Sequence, residues 1–187
     1  MQLILASASP RRAELLTQAG FAFRIDAADV DEAVLADESA EAYVARVALD
    51  KARAVGARHS PDAVILAADT TVVIDGAILA KPLDHADAAR MLSRLSGAVH
   101  DVLTAVVVRR DGAERTEVVR TRVHFVDLTA EDIAWYVGSG EADGKAGAYG
   151  IQGRAARFVD WIQGSWSNVV GLPIATVARL LAETRTR

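Results

Sequence analysis

Short apolar runs alternate along the chain with stretches of helical period, an arrangement that favours an α/β architecture. Residues 3–6, Leu-Ile-Leu-Ala, read as a buried strand. A helix is predicted over residues 10–19 and stops at Gly20, the residue type that most readily takes the left-handed conformation at a helix end. A short strand over 21–25 and an acidic loop over 26–38 follow, then a long helix over 39–57 and a strand over 63–74. Asp75-Gly76 is a strong hairpin signal, because the favoured two-residue turn needs positive φ at both positions; the chain returns through 77–80. Asp84 opens a helix that reaches Leu95 and ends at Ser96-Gly97. Residues 102–110 and 114–125 form a second hairpin about Asp111-Gly112. In its second arm Val119, Thr121, Val123 and Phe125 alternate with Arg120, Arg122 and His124, so one face meets solvent. A helix over 129–137 carries a Thr129-x-x-Asp132 cap. Glycine-rich chain then leads to a strand near 158–162, and Pro173 opens a last helix with Ile174, Val177, Leu180 and Leu181 inward. With no linker that could separate independent domains, residues 1–187 read as one domain or two closely fused lobes.

Composition narrows the function classes. The 187 residues are 51% apolar and 25% charged, which excludes disorder as the main description. The absence of cysteine excludes disulfides, thiolate metal sites and a cysteine nucleophile. A net charge of −4 argues against holding a nucleic-acid polymer by bulk charge, while a local basic pocket remains open. The first apolar run has no basic residue before it, and no apolar stretch approaches the roughly 20 residues that span a bilayer. The expectation is a cytoplasmic protein that does not enter membranes.

Several residues sit where local preference disfavours them. In Ser7-Ala8-Ser9-Pro10-Arg11-Arg12, Ser9 fits a helix N-cap and Pro10 the first helical position. Arg11 and Arg12 then fall in the first turn, where the helix dipole disfavours cations by about 0.3–1 kcal/mol each. A bound anion, such as a phosphate chain, would compensate; otherwise the pair points away into water. Lys51 lies at the centre of the apolar stripe Val44, Val47, Ala48 and Val55. It either snorkels to water or meets an anion where the core opens. Asp69 interrupts the strand Ile65-Leu66-Ala67-Ala68-Asp69-Thr70. A buried carboxylate there must bind a metal, pair with a cation, point into a wet cleft or be satisfied by backbone N–H groups.

Counting back from the Asp75-Gly76 turn puts Thr70 opposite Lys81 and Asp69 on the other face, with Pro82 ending regular pairing beside Lys81. The segment 144–153 is not a Walker phosphate loop, since Ser139 replaces its first glycine and Ala146 its Ser or Thr. Within it, Gln152 offers one donor and one acceptor, a pair that can match the O4 and N3–H edge of uracil or thymine. Tyr149 and Trp166 either line a base pocket or serve packing. His59, His85, His100 and His124 lack metal-ligand spacing and are expected on surfaces or turns.

Taken in order, Ala6-Ser7-Ala8-Ser9-Pro10-Arg11-Arg12, Ala67-Ala68-Asp69-Thr70, Lys81-Pro82, Leu95-Ser96-Gly97, Gly147-Ala148-Tyr149-Gly150-Ile151-Gln152-Gly153 and Asn168-Val169-Val170-Gly171-Leu172-Pro173 resemble the Maf family over essentially the whole chain. The Tyr-Gly-Ile-Gln-Gly form is similar to the dTTP/UTP branch; the 7-methyl-GTP branch carries Glu at the matching place. The resemblance implies an elongated, two-lobed Maf/ITPase-like α/β fold, with a central mixed β-sheet flanked by helices and a cleft between lobes. It implies hydrolysis of a nucleoside triphosphate to the monophosphate and pyrophosphate with a divalent cation, Mg2+, Mn2+ or Co2+, and a homodimer. Asp69 then matches the proton acceptor. Arg11, Thr70 and Gln152 match positions tied to substrate choice, and Ser7, Arg12, Glu32, Lys51 and Lys81 other active-site positions. Glu32 and Asp69 would hold the metal. Ala8, Thr71 and Ala155-Ala156 depart from the family pattern without touching a polar catalytic position. The alternatives are another triphosphate, including modified pyrimidine nucleotides, and a non-catalytic septum-formation regulator that acts by binding a partner.

Overall fold

The structure, a computed structural model, describes residues 2–185. The strands are β1 (Leu3–Leu5), β2 (Arg24–Ile25), β3 (Val64–Ile74), β4 (Ala77–Leu79), β5 (Val99–Arg110), β6 (Ala113–Phe125) and β7 (Val159–Gln163). The helices are α1 (Pro10–Gln18), α2 (Ala40–Gly56), α3 (His85–Leu95), α4 (Ala130–Val137), α5 (Trp166–Val170) and α6 (Ile174–Arg185). Two 3₁₀ segments, Ala146–Ala148 and Arg154–Phe158, lie in the glycine-rich region. The strands form a mixed sheet in the order β2-β1-β3-β5-β6-β7, with β4 beside β3.

The chain divides into two compact units. The first comprises Met1–Asp69, Thr104–Val119 and Gly171–Arg187. There β1 pairs in parallel with both β2 and β3, with Leu5 opposite Ile25 on one side and Leu66 on the other. Parallel neighbours cannot be joined by a tight turn, and helices supply the crossovers: α1 lies between β1 and β2, and α2 between β2 and β3. Strands buried on both faces read as unbroken apolar runs, and β3 is buried from Val64 through Asp69. Ser39 caps α2, its side chain accepting the Ala42 N–H at 3.2 Å. Tyr43, Val44, Val47, Ala48, Lys51, Ala52 and Val55 form the buried stripe of that helix. The strand expected over 21–25 contracts to Arg24–Ile25, both exposed at the edge of the sheet.

The second unit comprises Thr70–Leu103 and Arg120–Val170. The hairpin of β3 and β4 pairs Ile74 with Ala77 and Val72 with Leu79, and Asp75 and Gly76 both have positive φ, 49° and 74°. The register is the one counted from the sequence, and the ladder stops at Leu79. Thr70 and Lys81 are therefore not a ladder pair. Helix α3, capped by Asp84, buries Ala88, Met91, Leu92 and Leu95 and packs on α4 and on Ala146–Ala148. Thr129 and Asp132 form the reciprocal capping box at the start of α4. In β6 Thr121, Val123 and Phe125 are buried while Arg120 and Arg122 are exposed, the expected alternation. An aromatic group of Phe125, Tyr136, Tyr149 and Phe158 fills the centre of this unit.

Candidate active site

The carboxyl ends of parallel strands are where open α/β sheets place their ligands. In the first unit that edge carries Ser7, just beyond β1, and Asp69, three residues past the Leu5–Leu66 pair. Pro10 and Ser9 start α1 there. Ser9 is extended and makes no side-chain cap; instead its own N–H donates to Ser7 Oγ at 3.2 Å.

Arg12 does not point into water. It is 9% exposed; its Nε donates to the Gly171 carbonyl at 2.8 Å and its Nη1 to Ser7 Oγ at 3.1 Å. Burial pulls its pKa below the ordinary guanidinium value, opposed by the charge of Asp69, with Arg11 adding to the lowering and Glu32 opposing it. A guanidinium remains charged even so, and its planar donors are fixed in direction by two bonds. The same balance of charges places Arg11, Asp69 and Glu32 within its electrostatic reach.

Lys51 does not snorkel. Its Nζ donates to Asp69 Oδ1 at 2.8 Å and lies 2.6 Å from Glu32 Oε1, and the lysine and aspartate are both buried. One ammonium thus joins a carboxylate from β3 to one from the acidic loop. Breaking such a buried pair by removing one partner typically costs several kcal/mol, since the survivor is left charged and dry. Asp69 Oδ2 is buried with no hydrogen-bond partner.

The loop over residues 26–38 is held in place by α2. The Tyr43 hydroxyl donates to the Glu32 carbonyl at 3.0 Å, and burial, with the charges of Asp69 and Glu32, pushes that phenol up to about 12. Arg46 donates to the Ala33 carbonyl at 2.8 Å and pairs with Glu38 through Nε at 2.7 Å and Nη2 at 2.8 Å. Glu38 also accepts the Leu35 N–H, and its pKa is lowered chiefly by the bond from Arg46. Neither Tyr43 nor Arg46 carried a sequence signal. The tyrosine falls on the buried stripe as any aromatic would, and the arginine looks like one more charge on a helix.

Thr70, Lys81 and Gln152 belong to the second unit. Thr70 is half-buried, whereas Lys81 and Gln152 are exposed. Tyr149 is a core residue at 6% exposure, its hydroxyl 2.8 Å from His100 Nε2, and Trp166 is exposed. His100, expected at a surface or turn, is 2% exposed on β5.

Glu32 and Asp69 fit a hard divalent cation. Both offer oxygen donors, and the unpartnered Asp69 Oδ2 is a buried lone-pair site of the kind such an ion takes. No group of three or more candidate metal-binding side chains exists among the described residues. The protein would supply these two carboxylates, and water and phosphate oxygens the rest, the usual arrangement for Mg2+.

The family model described as Maf-like protein matches residues 2–184. The chain is 54% identical over 184 residues to a dTTP/UTP pyrophosphatase of Anaeromyxobacter dehalogenans (strain 2CP-1), covering 96% of this chain and 92% of the relative. A dTTP/UTP pyrophosphatase of Myxococcus xanthus is 52% identical over 179 residues, covering 96% and 90%. One from Symbiobacterium thermophilum is 52% identical over 183 residues, covering 97% and 93%.

Proposed function

The chain belongs to the Maf family, and on that footing we propose that it hydrolyses dTTP and UTP to the monophosphate and pyrophosphate. Modified pyrimidine triphosphates are included in that substrate class. The observation that carries this reading is the buried ammonium of Lys51 shared by Glu32 and Asp69, beside the locked guanidinium of Arg12.

Release of pyrophosphate requires water to attack the α-phosphorus; the new P–O bond forms as the bond to the α,β-bridging oxygen breaks. Negative charge then grows on the departing pyrophosphate. Arg11, Arg12 and Lys51, with the positive end of α1, bind and neutralise that tail, and Arg12 and Lys51 are held in place before the reaction begins. Asp69 orients the attacking water and takes its proton at Oδ2, the oxygen that no protein group occupies. Ser7 and the Gly171 carbonyl keep Arg12 in register. A divalent cation held by Glu32 and Asp69 would add charge neutralisation at the phosphate oxygens. Lys81, Thr70 and Gln152 enter through the motif match: Lys81 supports the α-phosphate, Thr70 contributes to substrate choice, and Gln152 reads the O4 and N3–H edge of the base.

A panel of nucleoside triphosphates assayed for pyrophosphate with Mg2+, Mn2+ or Co2+ tests the reading. dTTP and UTP are expected to give pyrophosphate and monophosphate in equal amounts. Asp69→Asn is expected to lower kcat by roughly 100-fold or more with an unchanged fold by circular dichroism. Failure of every triphosphate to release pyrophosphate would return the chain to the class of non-catalytic regulators.

A further inference from the structure

Gln152 is exposed, yet the short arc that carries it is pinned at both ends. On the leading side the Tyr149 hydroxyl meets His100, and the Gly150 N–H donates to the Tyr136 hydroxyl at 3.1 Å. Ile151 turns inward at 8% exposure. On the trailing side the Gly153 N–H closes a turn onto the Gly150 carbonyl at 3.1 Å. The next N–H, that of Arg154, donates to Glu141 Oε2 at 2.8 Å, and the Arg154 Nε lies 3.5 Å from Glu141 Oε1.

The glycine after Gln152 has its reason in the same carboxylate. A Cβ at Gly153 would stand 2.1 Å from Glu141 Oε2 and 2.9 Å from its Cδ, so only a bare backbone lets the carboxylate reach the Arg154 N–H. Glu141 is itself fixed: its N–H donates to Ser139 Oγ at 3.3 Å, and its carbonyl accepts from Lys145 Nζ. The leading-side pins are part of the aromatic core and serve packing. Glu141 is partly exposed, and the bonds of its carboxylate go to Arg154, two residues beyond Gln152.

We propose that Glu141 is a specificity-positioning residue. By gripping the Arg154 N–H it sets the direction in which the Gln152 amide presents its donor and acceptor, and so the match to a uracil or thymine edge. This rests on the reading of Gln152 as the base reader. Hydrogen-bond readout is steep in geometry, because an amide turned away leaves both of its partners unpaired.

The experiment compares kcat and KM for dTTP, UTP and CTP in the wild-type protein, Glu141→Ala, Glu141→Gln and Gln152→Glu. Glu141→Ala is expected to raise KM for dTTP and UTP about tenfold, with kcat and the CTP parameters changed less than about threefold. Glu141→Gln keeps an oxygen that can accept the Arg154 N–H and is expected to restore KM to within about threefold of wild type. Should Glu141→Ala fail to fold, Gly153→Ala tests the same contact from the other side and is expected to raise KM for dTTP and UTP alone. If Glu141→Ala or Gly153→Ala folds and keeps wild-type KM while Gln152→Glu alters the preference for dTTP over CTP, the positioning role falls and the base reader stands. If Gln152→Glu leaves that preference unchanged, the base reader itself falls. A rise shared equally by CTP also overturns the positioning role.

Discussion

His100 is a basic group whose surroundings disfavour its charge. Buried on β5, edge-on to Phe125 and 2.8 Å from the Tyr149 hydroxyl, it has its pKa pushed down to about 4, by burial first and by His124 second. In the unfolded chain an imidazole titrates near 6.5. Between those two values the unfolded state holds more protons, so stability is full above about pH 6.5 and declines as pH falls toward 4. The full loss is on the order of 3 kcal/mol. Urea unfolding at intervals from pH 7 to pH 4 should show that decline in the wild type and a shallower one in His100→Asn; parallel curves would reject the assignment. Burial of His100 is not legible in the sequence, because it lies just ahead of the apolar run 102–110 that reads as the strand, whereas β5 begins at Val99. Lys51 and Asp69 were legible for the opposite reason, as charges inside apolar runs. That each was the other's partner was not legible, since pairing across 18 residues depends on how α2 lies beside β3. Glu32 had no signal beyond its family match, because an acidic loop has no face to read.

Among the elements, turns and caps were the most readable. Asp75-Gly76 and Asp111-Gly112 are both in positive φ, as their hairpins require, and Thr129 with Asp132 forms its box. These signals are local, and local chemistry decides them. The phenylalanines at 21 and 23 suit a strand, yet only Arg24 and Ile25 find a partner on β1, so the observed strand is shorter than the expected 21–25. The 3₁₀ segment Ala146–Ala148 shows how close the glycine-rich chain runs to its neighbours. Gly147 has φ of 67°, and a Cβ there would lie 2.7 Å from Val72 Cγ2. Gly147→Ala should therefore cost both left-handed strain and overpacking, together about 2–4 kcal/mol. Gly112→Ala, at φ of 77° with open space around it, should cost only the strain, about 1–2 kcal/mol. Denaturant midpoints of the two variants decide the matter, and equal losses would show that Val72 yields freely.

For the whole molecule, the alternation of strand and helix announced the α/β class, but the strand order did not follow from it. Short apolar strands do not name their neighbours, and three of the four unit boundaries fall within β3, β5 and β6. Net charge was a poor guide to local charge as well. A chain of −4 gathers Arg11, Arg12 and Lys51 with two carboxylates at one end of its parallel strands. A UTP analogue with a nitrogen bridge between its α- and β-phosphorus should bind there without turnover. At 100 times its Kd it should raise the melting temperature by roughly 5–10 °C. UMP at the same concentration should move it far less, and an equal shift from both would sink the tail-binding model. The shared lysine carries one more consequence, for inhibition by the reaction's own products. On the proposed role of Lys51, pyrophosphate, the more highly charged product, should draw the ammonium off Glu32 and Asp69 more strongly than a monophosphate with its single phosphate. Pyrophosphate is then expected to be the stronger competitor of new substrate, and equal inhibition by the two products in initial-rate assays would reject that role.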